Sequence, residues 1–238
     1  MLEFGTLNTS AGTTQPARVR WMFSAIARRY DLANHLLSCG ADFSWRNRAA
    51  TTVANWRPAQ IVDLATGTGD LAFALSRKLP QAEITGVDFS EEMLARARGK
   101  GLRRTILADA MQLPLASASV DCVTIAFGLR NLSDYGGGLR ETHRVLRSGG
   151  HLLVLEFSLP RVAMLRAIYR FYLHRCLPVI GALLTGERGA YRYLGESIEQ
   201  FPDADAMLHL LEQSGFQDSR VEPLSGGIVT IYTAGKSL

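Results

Sequence analysis

The residues Asp63-Leu64-Ala65-Thr66-Gly67-Thr68-Gly69-Asp70 carry the clearest structural signal in this chain. They end a short apolar run and lead into a helical pattern that starts at Leu71. Glycine lets a backbone approach a ligand closely, and the first turn of a helix offers free N–H groups. The pattern therefore predicts a strand, a glycine turn and a helix that together bind a ligand. An ordinary strand-to-helix turn is the alternative interpretation.

Alternating strand and helix patterns surround this turn. Such alternation builds a parallel sheet with helices on both faces, so we predict an α/β, Rossmann-like fold with a seven-stranded, mostly parallel sheet. Ser148-Gly149-Gly150 predicts the end of a helix, and Gly226-Gly227 predicts a hairpin between the last two strands. The predicted strands are residues 61–65, 83–87, 105–108, 120–127, 152–157, a run after Gly215, and 227–233; the predicted helices are residues 71–79, a helix capped by Ser90, 135–146 and 204–214.

Two further segments flank or interrupt the alternation. Residues 1–16 lack periodicity, and we expect a mobile N-terminus. We expect residues 17–238 to form a single domain, with an N-terminal helical lid over residues 17–56, in which Asp42 or Ser44 caps the second helix. Residues 160–202 are rich in aromatic and aliphatic side chains and predict a helical insertion over the sheet edge.

Composition narrows the classes of function. The 238 residues carry a net charge of +4. The sequence contains no run of basic residues, so we predict no nucleic-acid partner. Three cysteines without a C-x-x-C motif predict neither a zinc nor a redox site and indicate a reducing cytosol. No apolar stretch reaches the roughly 20 residues that a membrane span needs. We therefore predict a cytoplasmic protein without a metal.

Two acids follow predicted strands. Asp88 lies 19 residues after Gly69, the spacing at which a carboxylate holds ribose hydroxyls. The alternative for Asp88 is an N-cap of the next helix. Asp109 follows the third strand, where a carboxylate can reach an adenine amino group, and the alternative is an ordinary loop residue.

The acids around the glycine turn also separate two cofactor classes. A dinucleotide fold requires G-x-G-x-x-G and presents a helix N-terminus to a pyrophosphate. Here Gly69 is followed by Asp70, whose carboxylate would repel a pyrophosphate, whereas S-adenosyl-L-methionine carries a sulfonium and an amine and has no phosphate. Asp63 and Asp70 therefore favour the methyl donor.

Four longer motifs resemble one family, the ubiquinone/menaquinone biosynthesis C-methyltransferases, and the resemblance runs over nearly the whole chain. The glycine turn is generic to methyltransferases, whereas these motifs are specific. They are Tyr30-Asp31-Leu32-Ala33-Asn34-His35-Leu36-Leu37-Ser38 with Trp45 downstream; Phe127-Gly128-Leu129-Arg130-Asn131; Arg144-Val145-Leu146-Arg147-Ser148-Gly149-Gly150 running to Leu155-Glu156-Phe157-Ser158; and Tyr191-Arg192-Tyr193-Leu194 with Ser197-Ile198 and Phe201-Pro202.

The resemblance implies a class I methyltransferase fold and C-methylation of a polyprenyl quinol, most specifically demethylmenaquinol to menaquinol. It implies contact with the membrane that holds such a substrate, at the inner face, while the oligomeric state stays open, with a homodimer as one alternative. Methylation of a benzoquinol or another small aromatic, or non-catalytic binding of the cofactor or a lipid, are alternative functions. The expected cofactor contacts are Asp63, Gly67, Thr68, Gly69, Asp88, Phe89, Asp109, Ala110 and Ala126, the last standing where several relatives have serine.

Arg130 is the first candidate for the chemistry, because a fixed cation can stabilise the phenolate that forms on a quinol. A salt bridge to Asp134 is its structural alternative. Asn131 can orient a quinol hydroxyl, with a turn residue or helix cap as the alternative. His35 is the natural titratable base, and Tyr191 is expected at the cavity entrance, with simple packing as the alternative for each.

Overall fold

The computed structural model describes residues 37–186 and 188–238, which contain one seven-stranded sheet flanked by helices. Residues 1–36, with the predicted mobile segment and the first half of the predicted lid, lie outside the described residues. In chain order the elements are α1 (Ala41–Trp56), β1 (Gln60–Leu64), α2 (Asp70–Lys78), β2 (Glu83–Asp88), α3 (Glu91–Gly99), β3 (Arg104–Leu107), β4 (Val120–Ala126), α4 (Tyr135–Val145), β5 (Leu146–Phe157), α5 (Ala163–Phe171), α6 (Leu177–Thr185), α7 (Arg188–Gln200), α8 (Ala204–Gln213), β6 (Gln217–Leu224) and β7 (Val229–Gly235).

The sheet has the strand order β3-β2-β1-β4-β5-β7-β6. Strands β1 to β5 are parallel, and β7 runs antiparallel to both of its neighbours. The central strands β1 and β4 are buried because helices cover both faces, which explains their nearly continuous apolar sequence. The predicted α/β fold with a seven-stranded, mostly parallel sheet is confirmed, as is the hairpin at Gly226-Gly227.

The strand order reverses between β1 and β4, and open α/β sheets bind ligands outside the carboxyl ends of such strands. Two tight turns leave the sheet there, and Ala65 and Phe127 have φ values of 54° and 56°. The turns also approach each other closely, since a Cβ on Gly128 would lie 2.4 Å from the Cβ of Ala65. Only glycine fits at position 128, and it lets the two turns lie against each other at the carboxyl edge of the sheet.

Two of the residue patterns that we predicted to mark the end or the start of a helix do not do so. Helix α4 ends at Val145, and Ser148-Gly149-Gly150 lies within β5 and does not end the helix. The reason is pairing with the C-terminal segment, because the backbone N–H of Gly149 donates to Lys236 O at 3.0 Å and Lys236 N donates to Gly150 O at 2.9 Å. Helix α1 begins after Gly40, which has φ 75°, so neither Asp42 nor Ser44 is its N-cap. Asp42 instead pairs with Arg46 one turn later.

The segment between β5 and α8 is helical. A five-residue π-helical turn, Tyr172–Cys176, joins α5 to α6, and α7 packs beside them. Their shared apolar cluster is built on Tyr169, Leu173, Leu177 and Tyr191. Among the helices of the described ranges, none combines the length and the apolar character that a membrane crossing requires.

Candidate functional site

A cavity of about 990 Å³ opens at the carboxyl edge of the sheet, where β1 and β4 end. Its polar side is formed by the turns after β1, β2, β3 and β4, and its apolar side by α1, the end of β5 and the helices α5 and α7. Nearly all of the described residues that we predicted at the site line this one cavity. Gly69 is not among the lining residues and instead forms the N-cap of α2.

Asp88 ties the glycine turn to the next helix. Its Oδ2 accepts a hydrogen bond from Gly67 N at 2.8 Å, and its Oδ1 accepts one from Ser90 N at 2.9 Å. Ser90 is the N-cap of α3, as predicted, because its Oγ accepts from Met93 N, so Asp88 is not that cap. Burial raises the pKa of Asp88 although these hydrogen bonds act in the opposite direction. Each carboxylate oxygen keeps a further lone pair that can accept from a ligand hydroxyl.

Asp63 lies near the end of β1 and is more deeply buried than Asp88. Its Oδ1 accepts from Thr124 Oγ1 at 2.7 Å and its Oδ2 from Thr66 Oγ1 at 2.6 Å. The side chain is 1% exposed, and burial raises its pKa to about 6 despite the two threonine hydroxyls. Asp63 therefore links β1 to β4 and holds the first residue of the glycine turn in place.

The remaining predicted cofactor residues lie around the polar side of the cavity. Asp109 is exposed there, and its Oδ1 accepts from Met111 N at 2.9 Å, which closes a local turn. Phe89 and Ala110 line the wall between Asp88 and Asp109, and Thr68 lies within the glycine turn. Ala126 ends β4 at the cavity wall and adds no polar group there.

The charge argument that we based on Asp70 does not hold in the structure. Asp70 Oδ1 lies 3.1 Å from Lys100 Nζ, and its Oδ2 lies 3.5 Å from Arg46 Nη2. Two cations therefore compensate the carboxylate that we expected to repel a pyrophosphate. Arg46 also lies over the Phe127 ring, with its guanidinium carbon 5.4 Å from the ring centroid.

Arg130 forms a buried ion pair with Glu156, the acid at the carboxyl end of β5. Its Nη1 lies 2.6 Å from Glu156 Oε1 and also donates to Phe127 O at 2.6 Å. The predicted alternative of a bridge to Asp134 is wrong, since Asp134 pairs with Arg140 on the surface of α4. The two side chains are 5% and 0% exposed, so each charge depends on the other for its stability.

Asn131 connects the sheet edge to the insertion. Its Oδ1 accepts from the hydroxyl of Tyr193 on α7 at 3.2 Å, and its Nδ2 donates to Phe127 O at 3.5 Å. Asn131 closes a 3₁₀ turn and is not a helix cap. Tyr191 is 3% exposed and lies against Gly181 of α6, where a Cβ would be 2.2 Å from its ring. His35 and Tyr30 lie outside the described residues.

The sequence analysis missed the aromatic centre of the cavity and the acid beneath it. Phe127 and Phe157 lie with ring centroids 4.5 Å apart, and Trp45 packs against both at 6.2 and 6.1 Å. A signal for Glu156 exists, because it is the one acid in the apolar run of residues 152–157. A charge buried in a strand needs a partner, and the nearest basic residue of the motif after β4 is Arg130.

The polar side of the cavity has the space and the hydrogen-bond acceptors that an adenosyl cofactor requires. A Cβ on Gly67 would meet no atom within 4 Å, so the cavity reaches the backbone of the glycine turn directly. Asp88 and Asp109 present carboxylates to the same space. These groups fit the ribose hydroxyls and the amino group of adenine.

Solved structures share this fold at low identity. A SAM-dependent methyltransferase of Thermotoga maritima superposes with a TM-score of 0.68 at 19% identity, over 92% of this chain and 99% of that one. The [4+2]-cyclase SpnF superposes with a TM-score of 0.64, also at 19% identity, over 96% and 97% of the two chains. The resemblance at this identity concerns the fold alone.

Sequence relatives are much closer. A demethylmenaquinone methyltransferase of Thermus thermophilus is 48% identical over 90% of this chain and 100% of its own length. A ubiquinone/menaquinone biosynthesis C-methyltransferase, UbiE, of Syntrophotalea carbinolica is 46% identical over 92% and 94% of the two chains. The model of the ubiE/COQ5 methyltransferase family matches residues 11–236. The expected resemblance is confirmed, and this chain belongs to the ubiE/COQ5 methyltransferase family.

Proposed function

We propose that this protein methylates a ring carbon of demethylmenaquinol. The observation that carries the proposal is a single cavity with two unlike sides, a polar side that fits an adenosyl group and an aromatic side that fits a flat ring. The relatives from Thermus thermophilus and Deinococcus radiodurans, 48% and 43% identical, are both named demethylmenaquinone methyltransferases and support the choice of ring.

S-adenosyl-L-methionine is the methyl donor and supplies an electrophilic methyl group on its sulfonium. In our proposal Asp88 accepts hydrogen bonds from the ribose hydroxyls and Asp109 from the adenine amino group. Phe89, Ala110 and the backbone of Gly67 and Thr68 surround the cofactor. Asp63 acts as a positioning residue, because its hydrogen bonds hold Thr66 and Thr124 beneath the glycine turn.

The acceptor must become electron-rich at one ring carbon, which requires a quinol hydroxyl to be oriented and to lose its proton. The methyl–sulfur bond would break as the new C–C bond forms, and the methylated ring carbon would then lose its hydrogen as a proton while the quinol oxygen regains one, which restores the aromatic ring. Asn131 and the Tyr193 hydroxyl lie at the edge between the two sides of the cavity and are the polar groups that we assign to a quinol hydroxyl. Trp45, Phe127 and Phe157 hold the flat ring and exclude water around it. Tyr191 supports this wall from behind.

The role of Arg130 changes with its environment. Glu156 compensates its charge, so Arg130 is a weaker stabiliser of phenolate than an unpaired cation would be. We assign it to positioning, because its Nη1 fixes the carbonyl of Phe127 and thereby the turn that carries Asn131. His35 stays a prediction for the proton acceptor.

A panel of short-tailed quinols tests the function. The purified protein is incubated with methyl-labelled S-adenosyl-L-methionine and either a naphthoquinol or a benzoquinol, and label is followed into the ring by mass spectrometry. We expect transfer to the naphthoquinol at a carbon position. Preference for the benzoquinol would show that the proposed substrate is wrong. Binding of the cofactor without methyl transfer to any quinol would contradict the proposed enzymatic activity.

A further inference from the structure

Helices α5 and α6 present an apolar surface to solvent on the outside of the cavity wall. Large apolar side chains that are scattered singly need no explanation, whereas a contiguous set marks an interaction site. Six large apolar residues of these two helices are between 41% and 82% exposed. We call this surface the α5–α6 face, and it consists of Met164, Ile168, Phe171, Val179, Ile180 and Leu183.

The π-helical turn between α5 and α6 aligns these side chains on one side. Tyr169, Leu173 and Leu177 are buried and recur every four residues across the turn. In an α-helix of 3.6 residues per turn such a spacing drifts around the surface, and the wider π-turn compensates the drift. The same winding keeps Phe171 and Val179, on either side of the turn, on the exposed side.

The charged side chains of the segment that carries this face are all positive. Residues 158–186 contain four arginines and neither Asp nor Glu. The four arginines are exposed, and two of them pair with acids of other helices, Arg161 with Asp205 at 3.4 Å and Arg170 with Glu199 at 2.7 Å. Surface pairs of this kind are weak and leave the arginines accessible to a stronger anionic surface.

The face and the cavity share a wall. Ile168 belongs to the α5–α6 face, is 59% exposed, and also lines the cavity, together with Leu165 and Tyr169 of the same helix. A molecule that covers the α5–α6 face therefore lies against the helix that bounds the aromatic side of the cavity. This continuity makes the face a candidate route for an apolar substrate.

We propose that the α5–α6 face docks on a lipid bilayer that contains anionic lipids. Apolar side chains on one side of a helical segment with arginines at its border are the features that bind such an interface. A second copy of this chain fits less well, because a two-fold interface through this face would bring the arginines of both copies together. Docking places the α5 wall at the membrane surface, and the direct delivery of a membrane-dissolved quinol through it rests on the function proposed above.

Vesicle co-sedimentation without quinol or cofactor tests the docking. Vesicles of phosphatidylcholine alone are compared with vesicles that also contain phosphatidylglycerol. The variant Met164→Gln/Phe171→Gln/Leu183→Gln should lose about tenfold or more in partitioning, because large apolar side chains no longer enter the lipid. Phe43→Gln removes an aromatic residue of similar exposure, 59%, from α1 and should bind as the wild type does.

A pair of charge variants tests the basic border. Arg161→Glu/Arg175→Glu should weaken binding to the anionic vesicles by about fivefold or more for each arginine, and should change binding to phosphatidylcholine little. Arg77→Glu/Lys78→Glu makes the same change of net charge at exposed positions of α2 and is the matched control. Equal losses in the two variants would mean that net charge, and not this face, drives binding.

Three outcomes overturn the proposal. Wild-type protein that stays in solution with both vesicles does so directly, and so does a triple variant that is folded by circular dichroism and binds as the wild type does. A wild-type dimer by light scattering that the triple variant converts to monomer, without vesicle binding by either, would assign the face to a second copy. None of these readouts depends on methyl transfer. A protein that binds vesicles but transfers no methyl group would therefore contradict the proposed function and leave the docking proposal standing.

Discussion

The cavity joins two regions that are built in opposite ways. On the polar side, the carboxylates of Asp63 and Asp88 accept short hydrogen bonds that hold the glycine turn to its neighbours, and the site is assembled by the sheet itself. On the apolar side, helices α5 to α7 pack through side chains, and one hydrogen bond between Tyr193 and Asn131 joins α7 to the sheet edge. The difference indicates that the polar side is fixed by hydrogen bonds to the sheet and its turns, whereas the apolar side depends on the packing of helices.

The buried pair Arg130–Glu156 lies where the two regions meet, and its loss should have the largest effect. Arg130→Ala leaves the Glu156 carboxylate buried without its cation, which should lower the free energy of unfolding by about 3–5 kcal/mol. Glu156→Gln leaves the Arg130 guanidinium buried without its compensating carboxylate and should also lower the free energy of unfolding. The double variant Arg130→Ala/Glu156→Gln should lose less than the sum of the two single variants, as measured by urea denaturation. Additive losses would mean that the two groups act independently.

The same variants decide between two roles of Arg130 in methyl transfer. If the pair positions the turn with Asn131, then Glu156→Gln and Arg130→Ala should both lower kcat in protein that is verified as folded. If the guanidinium charge itself stabilises phenolate, then Glu156→Gln, which removes the compensating carboxylate, should keep or raise kcat. Arg130→Lys retains the charge without the planar guanidinium and should be partly active only in the second case.

Asp63 should make the stability of the cofactor-free protein depend on pH. Its pKa is raised to about 6 by burial, so the folded protein binds a proton that the unfolded chain has lost above about pH 4. The stabilisation is complete below the unfolded pKa and is lost as pH rises to about 6, by roughly 3 kcal/mol in total. Asp63→Asn should remove this loss. The measurement is the free energy of unfolding of the variant and of the wild type, compared at each pH from 4 to 7.

Asp121 provides a control of opposite sign. Burial is the largest single influence on the pKa of Asp121 and raises it, but the hydrogen bonds from Gln60 N, Arg147 and Ala59 N together outweigh burial and lower the pKa below its usual value. Its contribution is therefore present above the unfolded pKa and lost as pH falls further. Asp121→Asn should change the curve at the acid end and leave the window from pH 4 to 6 as it is. An Asp63→Asn curve parallel to that of the wild type would contradict a protonated Asp63.

Asp88 tests the polar region by cofactor affinity. Asp88→Ala should weaken binding of S-adenosyl-L-methionine by about 10- to 150-fold, which corresponds to the loss of one charge-assisted hydrogen bond of about 1.5–3 kcal/mol. Calorimetric titration measures this change. Asp134→Ala removes an exposed acid just after the turn that carries Asn131, outside the cavity, and should bind as the wild type does. Unchanged affinity in Asp88→Ala would mean that the ribose is held by other groups.

The two regions also differ in how far the sequence predicts them. Much of the polar side can be predicted from the sequence, because a glycine turn after one strand and an acid at the end of the next strand recur at a known spacing. The structure places the glycine turn and Asp88 at these positions, with Gly67 N hydrogen-bonded to the Asp88 carboxylate. The Arg130–Glu156 pair could not be assigned in this way, because its members are 26 residues apart and meet only when β4 and β5 are aligned. The first residues of β5 were missed for the same reason, because the segment of Gly149 pairs with residues near the C-terminus.

The hydrogen bond from Tyr193 to Asn131 gives the smallest effect and the sharpest test of the boundary between the regions. Tyr193→Phe removes the hydroxyl and keeps the ring, so a loss of about 0.5–1.5 kcal/mol is expected, or roughly two- to tenfold. If the bond holds α7 over the acceptor side, the loss should fall on KM for the quinol and leave cofactor affinity unchanged. Tyr172→Phe is the matched control, because its hydroxyl donates to Leu37 O at 2.9 Å and not to the sheet edge. Combining each variant with Asn131→Ala completes the argument, since Tyr193→Phe should have no further effect in that background whereas Tyr172→Phe should have the same effect as alone. Additivity for both tyrosines would mean that the bond between Tyr193 and Asn131 does not hold α7 over the acceptor side.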